Sequence, residues 1–312
     1  MNNLKILLLG ATGFVGQNVK KVFDDNDVKI SAASTQNFNL LDLQATKAFF
    51  EQHQPDFIIN CAAHVGSLNY VSQFAANVIL DNTRMLLNMY EAVVALPKKP
   101  IVINPIANCA YPSTSTTFVE EEWWNGHLHQ SVMAYGSTRR MMWSIGESFL
   151  WQHQLKSIYL LVPNMYGPFD STDPNKAHAL NALISKFVKA EKENKKEIDI
   201  WGTGVAIREW LYAEDFGKIV FQITNTKQTL GLAEPVNIAQ NFGLSVKELV
   251  EIMNGYFDNK FLIKWDITMP DGAPRKVMDD KKFSKVFPSF KFQNFEDGIL
   301  NTINYYKKVY PY

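Results

Sequence analysis

The chain has 312 residues, 46% of them hydrophobic and 20% charged, enough for one large buried core or two smaller ones. Its 31 basic and 31 acidic residues cancel, so no net field draws it to nucleic acid or to a membrane surface, and an anionic ligand must be held by local groups. No stretch reaches the roughly 18 consecutive apolar residues of a membrane span, and two cysteines, Cys61 and Cys109, are too few for a disulfide framework. The cytoplasm is the expected compartment.

In chain order, apolar runs at 5–9, 28–32, 57–61, 101–105 and 157–163 predict strands. Amphipathic stretches at 14–24, 43–52, 74–94 and 135–152 predict the helices between them. The first apolar run is too short for a signal core and leads straight into a glycine turn. Strands separated by helices of this length need crossover connections, hence a parallel sheet with helices on both faces. The second half is less regular. It reads as a helix over 177–190, a charged turn at 191–196, a strand at 197–201, a helix over 213–224 and a strand at 235–239. A helix over 245–256 capped by Ser245, a strand-like run at 261–265 and an amphipathic helix over 295–306 follow. The expected fold class is α/β: a Rossmann-like, doubly wound parallel sheet over 1–164, then a smaller mixed substrate domain over 165–312. The strand near 235–239 is expected to return to the first sheet. With no repeat and no low-complexity linker, the two halves should pack closely.

Gly10-Ala11-Thr12-Gly13-Phe14-Val15-Gly16 follows the first strand and opens a helix. Gly10 permits a tight turn, Gly13 lets backbone approach a pyrophosphate, and Gly16 lets the helix pack closely on the strand. The helix start then offers unpaired N–H groups and its positive dipole end to phosphates. The G-x-x-G-x-x-G spacing is that of short-chain dehydrogenases/reductases. The chain resembles the extended, NAD-dependent epimerase/dehydratase members of that family over nearly its whole length. Asn60-Cys61-Ala62-Ala63-His64-Val65-Gly66 is similar to the family's segment below the nicotinamide ribose, Asn82 and Asn88 to its asparagine pair, and Tyr135-Gly136-Ser137-Thr138-Arg139 to its catalytic Tyr-x-x-x-Lys. The resemblance implies cofactor contacts from Gly10, Thr12, Gly13, Phe14, Val15, Gly16, Ser34, Thr35, Asp42, Leu43, Ala62, Ala63, His64, Asn82, Tyr135, Arg139, Pro163, Met165 and His178. At the end of the second strand an acid would bind the ribose hydroxyls and repel a 2′-phosphate. Ser31-Ala32-Ala33-Ser34-Thr35-Gln36 has neither acid nor arginine, so nothing repels the phosphate, and NADP(H) is expected ahead of NAD(H).

Tyr135 and Arg139 lie four apart on a predicted helix and share a face. A phenol with a reference pKa of about 10 needs a fixed cation one turn away to work near neutral pH. Arginine supplies charge and donors but, unlike lysine, cannot join a proton relay by deprotonating. Most relatives place Ser or Thr where this chain has Ala107, and a methyl cannot hydrogen-bond a reacting carbonyl. Asn108 or a water is left to do so. Two members of the Ser–Tyr–Lys triad are therefore altered.

Within the extended members the pattern is most similar to the GDP-L-fucose synthases, NADPH-dependent 3,5-epimerase/4-reductases of GDP-4-keto-6-deoxymannose. The resemblance rests on Cys109-Ala110-Tyr111-Pro112, Asn164-Met165-Tyr166-Gly167-Pro168, Trp201-Gly202-Thr203-Gly204, Arg208-Glu209-Trp210-Leu211 and Pro270-Asp271-Gly272-Ala273-Pro274-Arg275-Lys276. It implies that Cys109 and His178 are the epimerising acid and base, since protons beside a keto group are acidified and one side chain removes what another returns. A thiol near a cation can be poised as thiolate. Candidates for binding the nucleotide sugar are Asn164, Lys186, Trp201, Arg208 and Arg275, arginine because its fork meets phosphate oxygens in pairs. The stretch Glu120-Glu121-Glu122-Trp123-Trp124-Asn125-Gly126-His127-Leu128-His129 fits the family poorly and is expected to reshape the sugar pocket. His127-x-His129 lacks a third ligand, and no metal is expected. The resemblance also implies a homodimer through the helices at 74–94 and 135–152. The expected function is a nucleotide-sugar epimerase/reductase. The alternatives are an epimerase or a 4-reductase alone, or a dinucleotide-binding protein with a degraded triad.

Overall fold

The computed structural model describes residues 4–173, 176–226, 234–269 and 271–312. The first half alternates β1 (Ile6–Leu9), α1 (Phe14–Asp25), β2 (Ser31–Ala33), α2 (Leu43–His53), β3 (Phe57–Asn60), α3 (Leu68–Gln73), α4 (Ala75–Ala95), β4 (Ile101–Ala107), α5 (Met133–His153) and β5 (Ser157–Val162). The second half adds β6 (Asn164–Tyr166), α6 (Ala179–Lys192), β7 (Glu197–Trp201), β8 (Ile207–Tyr212), α7 (Ala213–Thr226) and β9 (Val236–Asn237). It ends with β10 (Gly243–Ser245), α8 (Val246–Gly255), β11 (Leu262–Asp266), β12 (Arg275–Lys276), α9 (Lys281–Val286) and α10 (Phe295–Val309).

Among the described residues the main sheet has the order β2-β1-β3-β4-β5-β9, and every neighbouring pair is parallel. Its strands are apolar throughout because both faces are covered. In β1, Ile6 and Leu8 join Phe14, Val19, Phe23, Phe216 and Ile219 in one layer. Leu7 and Leu9 join Leu86, Met89, Tyr90 and Met142 in the other. The second half feeds back into this body. β9 pairs with β5, Leu160 opposite Val236, and α7 lies along α1 with Gly217 where a side chain would meet Val22 at 2.9 Å. Because β2 and β3 lie on opposite sides of β1, the strand order reverses there, and the carboxyl ends of β1 and β3 flank the crevice where such sheets bind ligands.

The smaller layer is built on β8, which pairs parallel with β6 and β12 and antiparallel with β10. β7 and β11 form a parallel pair. Leu180, Ile184, Phe187, Leu249, Val250, Met253, Ile299, Ile303 and Tyr306, from α6, α8 and α10, fill its core. Ser245 caps α8 in a full capping box with Glu248.

The short elements β6, β10, β12 and α9 have no counterpart in the sequence pattern, and three further departures have local causes. β2 begins at Ser31, not at 28, because Asp27 turns with a φ of 57° and the Val28 N–H is spent on the Phe23 carbonyl. α3, capped by Ser67, precedes α4 as a separate helix. β8 is hidden in sequence by Glu209, a charged residue on an inward position at 1% exposure. Its carboxyl accepts N–H bonds from Gln240 and Met278, both at 2.7 Å, and burial pushes its pKa up to about 7.

The tightest constraint is the glycine turn. A Cβ on Gly16 would lie 2.1 Å from the Gly10 carbonyl oxygen, and Gly10, at a φ of 71°, would press one to 2.6 Å from the Cys61 carbonyl. Gly16→Ala should therefore cost on the order of 3 kcal/mol or more in equilibrium unfolding. Gly255→Ala on α8 meets nothing within 4 Å and should be neutral or stabilising by up to about 1 kcal/mol. Equal effects from the two substitutions would contradict this account of the turn.

Candidate active site

Four walls meet at the crevice. The first is the turn Gly10–Gly16, where Gly13 donates to the Gly10 carbonyl and stands at the N-cap of α1. No side chain caps that helix, and Thr12 and Gly13 are exposed. Its first N–H groups are thus offered to an anionic ligand. Phe14 turns inward and Met165 packs in the same core layer.

The second wall is the turn after β2. Ser34 and Asn37 hydrogen-bond each other there and Thr35 is exposed. Asp42 is committed to a structural task, accepting from the Gln44 and Ala45 N–H groups at the start of α2, of which Leu43 is the first residue. The third wall is Ala62-Ala63-His64. Asn82 brackets it, taking the His64 N–H at 3.2 Å and donating to the His64 carbonyl at 2.8 Å. The His64 ring is held between Asp81 and the Tyr70 hydroxyl at 2.8 and 2.9 Å. Asn88, by contrast, ties α4 to the Leu40 carbonyl. Pro163, buried, closes the end of β5.

The fourth wall carries the reactive groups. β4 ends at Ala107 and a single turn, Asn108–Ala110, follows. Gly136 lets α5 approach it, since a Cβ there would be 2.8 Å from the Cys109 carbonyl oxygen. On α5 the Arg139 guanidinium lies over the Tyr135 ring, 4.7 Å from its centroid, and donates to Asn82 at 2.9 Å. Arg139 is 3% exposed and its Nε has no partner among the described residues. Burial pushes the Tyr135 phenol up, Arg139 pulls it back, and Cys109 adds to the rise. The phenol therefore rests protonated. Burial likewise pushes the Cys109 thiol up to about 11, against the pull of Lys276 and Arg139. The cations expected to poise a thiolate are in place, but desolvation outweighs them, so the resting group is a thiol and a proton donor.

Lys276 is a residue the sequence reading passed over in favour of Arg275. Side chains alternate along β12: Arg275 is exposed, while Lys276, in register with Arg208, is buried deeply enough for its ammonium pKa to be lowered and feels both Cys109 and Arg208. Asp170 has no spacing signature and was equally invisible. It is 5% exposed, with Oδ1 3.0 Å from His178 Nδ1. Its other oxygen takes the His178 and Asn181 donors, both at 2.8 Å. Burial pushes the Asp170 pKa up, but these bonds outweigh it and hold the carboxyl below its usual range. His178, the N-cap of α6, is thereby fixed through Nδ1, leaving Nε2 to exchange protons, and its ring lies 5.0 Å from Phe14.

The proposed sugar-binding residues fall into groups. Arg208, half-buried, donates to the Asp271 carbonyl at 3.1 Å beside Lys276, and Asn164 donates to the Glu209 carbonyl. Lys186 donates to the Asp199 carbonyl on β7, two residues before the exposed Trp201. Pro270 lies outside the described residues. Asn108 is 7% exposed and its Nδ2 is unpartnered among the described residues.

The geometry around Cys109 predicts its reactivity. Its alkylation by iodoacetamide, followed peptide by peptide, should rise with pH without a plateau until about pH 11. A plateau near pH 8 would mean that the cations, not burial, set the thiol.

The NAD dependent epimerase/dehydratase family profile matches residues 6–239. Curated relatives include GDP-L-colitose synthase of Yersinia pseudotuberculosis, 27% identical over 97% of this chain and 98% of that protein. GDP-L-fucose synthase 1 of Arabidopsis thaliana is 26% identical over 97% and 93%. Among solved structures, a GDP-L-fucose synthetase from Naegleria fowleri bound to NADP superposes with a TM-score of 0.88 at 22% identity, covering 99% of this chain and 96% of that one. A GDP-6-OMe-4-keto-L-xylo-heptose reductase from C. jejuni gives the same score at 20% identity over 99% of both chains. With the glycine turn, the reversing strand order and the Tyr135–Arg139 pair already placed, the match over 6–239 means that the chain belongs to the NAD dependent epimerase/dehydratase family.

Proposed function

We propose that this chain is an NADP(H)-dependent epimerase/reductase of a GDP-linked 4-keto-6-deoxy sugar. The observation that carries the reading is the Tyr135 phenol under the Arg139 guanidinium, sharing one half-buried site with the Cys109 thiol and the Lys276 ammonium. The glycine cradle, the uncapped start of α1 and the absence of any acid in Ser31–Gln36 support NADP(H). When bound, that cofactor supplies the hydride that reduces the 4-keto carbon.

The chain's own groups manage the protons. The carboxylate-backed His178 takes a proton from a carbon beside the keto group, and the electron pair moves onto the keto oxygen. The orphaned Asn108 amide and the Tyr135 hydroxyl stabilise that oxygen, in place of the hydroxyl that Ala107 lacks. Cys109 returns a proton from the opposite side, and Lys276 and Arg139 balance the thiolate left behind. In the reduction Tyr135 gives its proton to the same oxygen, and Arg139 stabilises the phenolate. Arg208 and Asn164 near Lys276, with Lys186 and Trp201 along β7, are the proposed hold on the nucleotide and its diphosphate. The active form is read as a cytoplasmic homodimer, supported by exposed Leu80 and Leu87 on α4 and Met133 and Trp151 on α5. No described helix is long and apolar enough to cross a membrane.

Site variants separate the two reactions. With GDP-4-keto-6-deoxymannose, Tyr135→Phe should cut NADPH oxidation by about 100-fold or more while deuterium uptake from solvent persists, and Cys109→Ala should abolish uptake with inversion, leaving only the exchange that His178 performs on its own face. Asn108→Ala should slow both by roughly 100-fold. Unchanged oxidation in Tyr135→Phe, or unchanged formation of the inverted product in Cys109→Ala, would overturn the corresponding role.

A further inference from the structure

Arg140, the neighbour of Arg139 on α5, meets backbone carbonyls and one aromatic face among the described residues. Its Nε donates to the Ala110 carbonyl at 2.8 Å, Nη1 to Gly126 at 2.9 Å, and Nη2 to Trp123 and Asn125, both at 3.1 Å. Its guanidinium lies 5.8 Å from the Trp124 ring centroid. Ala110 follows Cys109 in the turn after β4, and the other three carbonyls belong to the loop that fits the family poorly. That loop is closed on itself by the Ser113 N–H on the His127 carbonyl at 2.9 Å. Its middle is tied down by Phe118, which exchanges backbone bonds with Val277 and Asp279 just beyond Lys276 and stacks on Tyr111 at 4.4 Å. Glu120 takes the Asn237 N–H at 2.9 Å.

We infer that Arg140 is a positioning residue that joins the Cys109 turn to the 111–129 loop, so that thiol and pocket wall are held as one piece. The inference rests on the reading of Cys109 as a proton donor to the sugar, but its structural half does not need that reading. One planar guanidinium reaches four carbonyls from two segments because its donors fan out in fixed directions. A lysine ammonium is a point donor and cannot span them. The arrangement fixes how far the Cys109 sulfur stands from the sugar face and how much room the loop leaves, which makes Arg140 a determinant of substrate choice as well as of epimerisation.

The test uses Arg140→Ala and Arg140→Lys in the full chain. Without substrate, iodoacetamide should alkylate Cys109 at least about tenfold faster at pH 8 in both variants, while the Kd for NADPH stays within about twofold of the parent. With GDP-4-keto-6-deoxymannose, deuterium uptake with inversion should fall by about tenfold or more and NADPH oxidation by less. Millimolar methylguanidinium should restore part of the lost uptake and slow Cys109 alkylation in Arg140→Ala but not in Arg140→Lys. Unchanged alkylation in both variants would overturn the inference, as would NADPH binding weakened in parallel with uptake, the mark of general unfolding. If the parent turns over no sugar, the functional reading fails and the alkylation and rescue results still decide the role of Arg140.

Discussion

A single buried cation ties the reactive wall to the cofactor wall. Arg139, at 3% exposure, stacks over Tyr135 from its own helix and donates to Asn82 on the neighbouring one, and Asn82 in turn clamps the backbone of His64. A buried guanidinium with no carboxylate partner costs several kcal/mol unless it is well hydrogen-bonded or interacts with other polar groups. Among the described residues its partners are one neutral amide and one ring face, with Nε left over. The reward is a positive charge that cannot be neutralised by deprotonation, set against a phenol that must become negative.

Burial is the common cause of the site's resting state. It raises the Tyr135 phenol and the Cys109 thiol and lowers the Lys276 ammonium. Two neutral proton donors therefore sit beside the Lys276 and Arg139 cations. Across the crevice hydrogen bonding outweighs burial: Asp170 remains ionised through its bonds to His178 and Asn181 and fixes the His178 ring through Nδ1.

Most of the main sheet was legible because its signals are local. Unbroken apolar runs such as Ile6–Leu9 and the glycine turn state their own structure, and the Tyr135–Arg139 spacing puts both side chains on one helix face. What was not legible depends on distant partners. β8 carries Glu209 inward because Gln240 and Met278 supply its donors. Lys276 rather than Arg275 faces Cys109 because of the register of a two-residue strand, too short for any periodicity to show. Asp170 gains its role from folding back onto His178. Burial, which pushes the Cys109 thiol up against the pull of Lys276 and Arg139, is a quantity that a motif does not contain.

The central claim is that one buried site exchanges protons beside a keto group and then protonates that group's oxygen on reduction. The most direct measurement is NMR of the product formed from GDP-4-keto-6-deoxymannose and NADPH in deuterated water. The account predicts deuterium at the carbons flanking the former keto carbon, inverted configuration there, and protium from the cofactor at the reduced carbon. A reduced product with protium at the flanking carbons would contradict the roles of Cys109 and His178, and the absence of any product would contradict the functional reading as a whole.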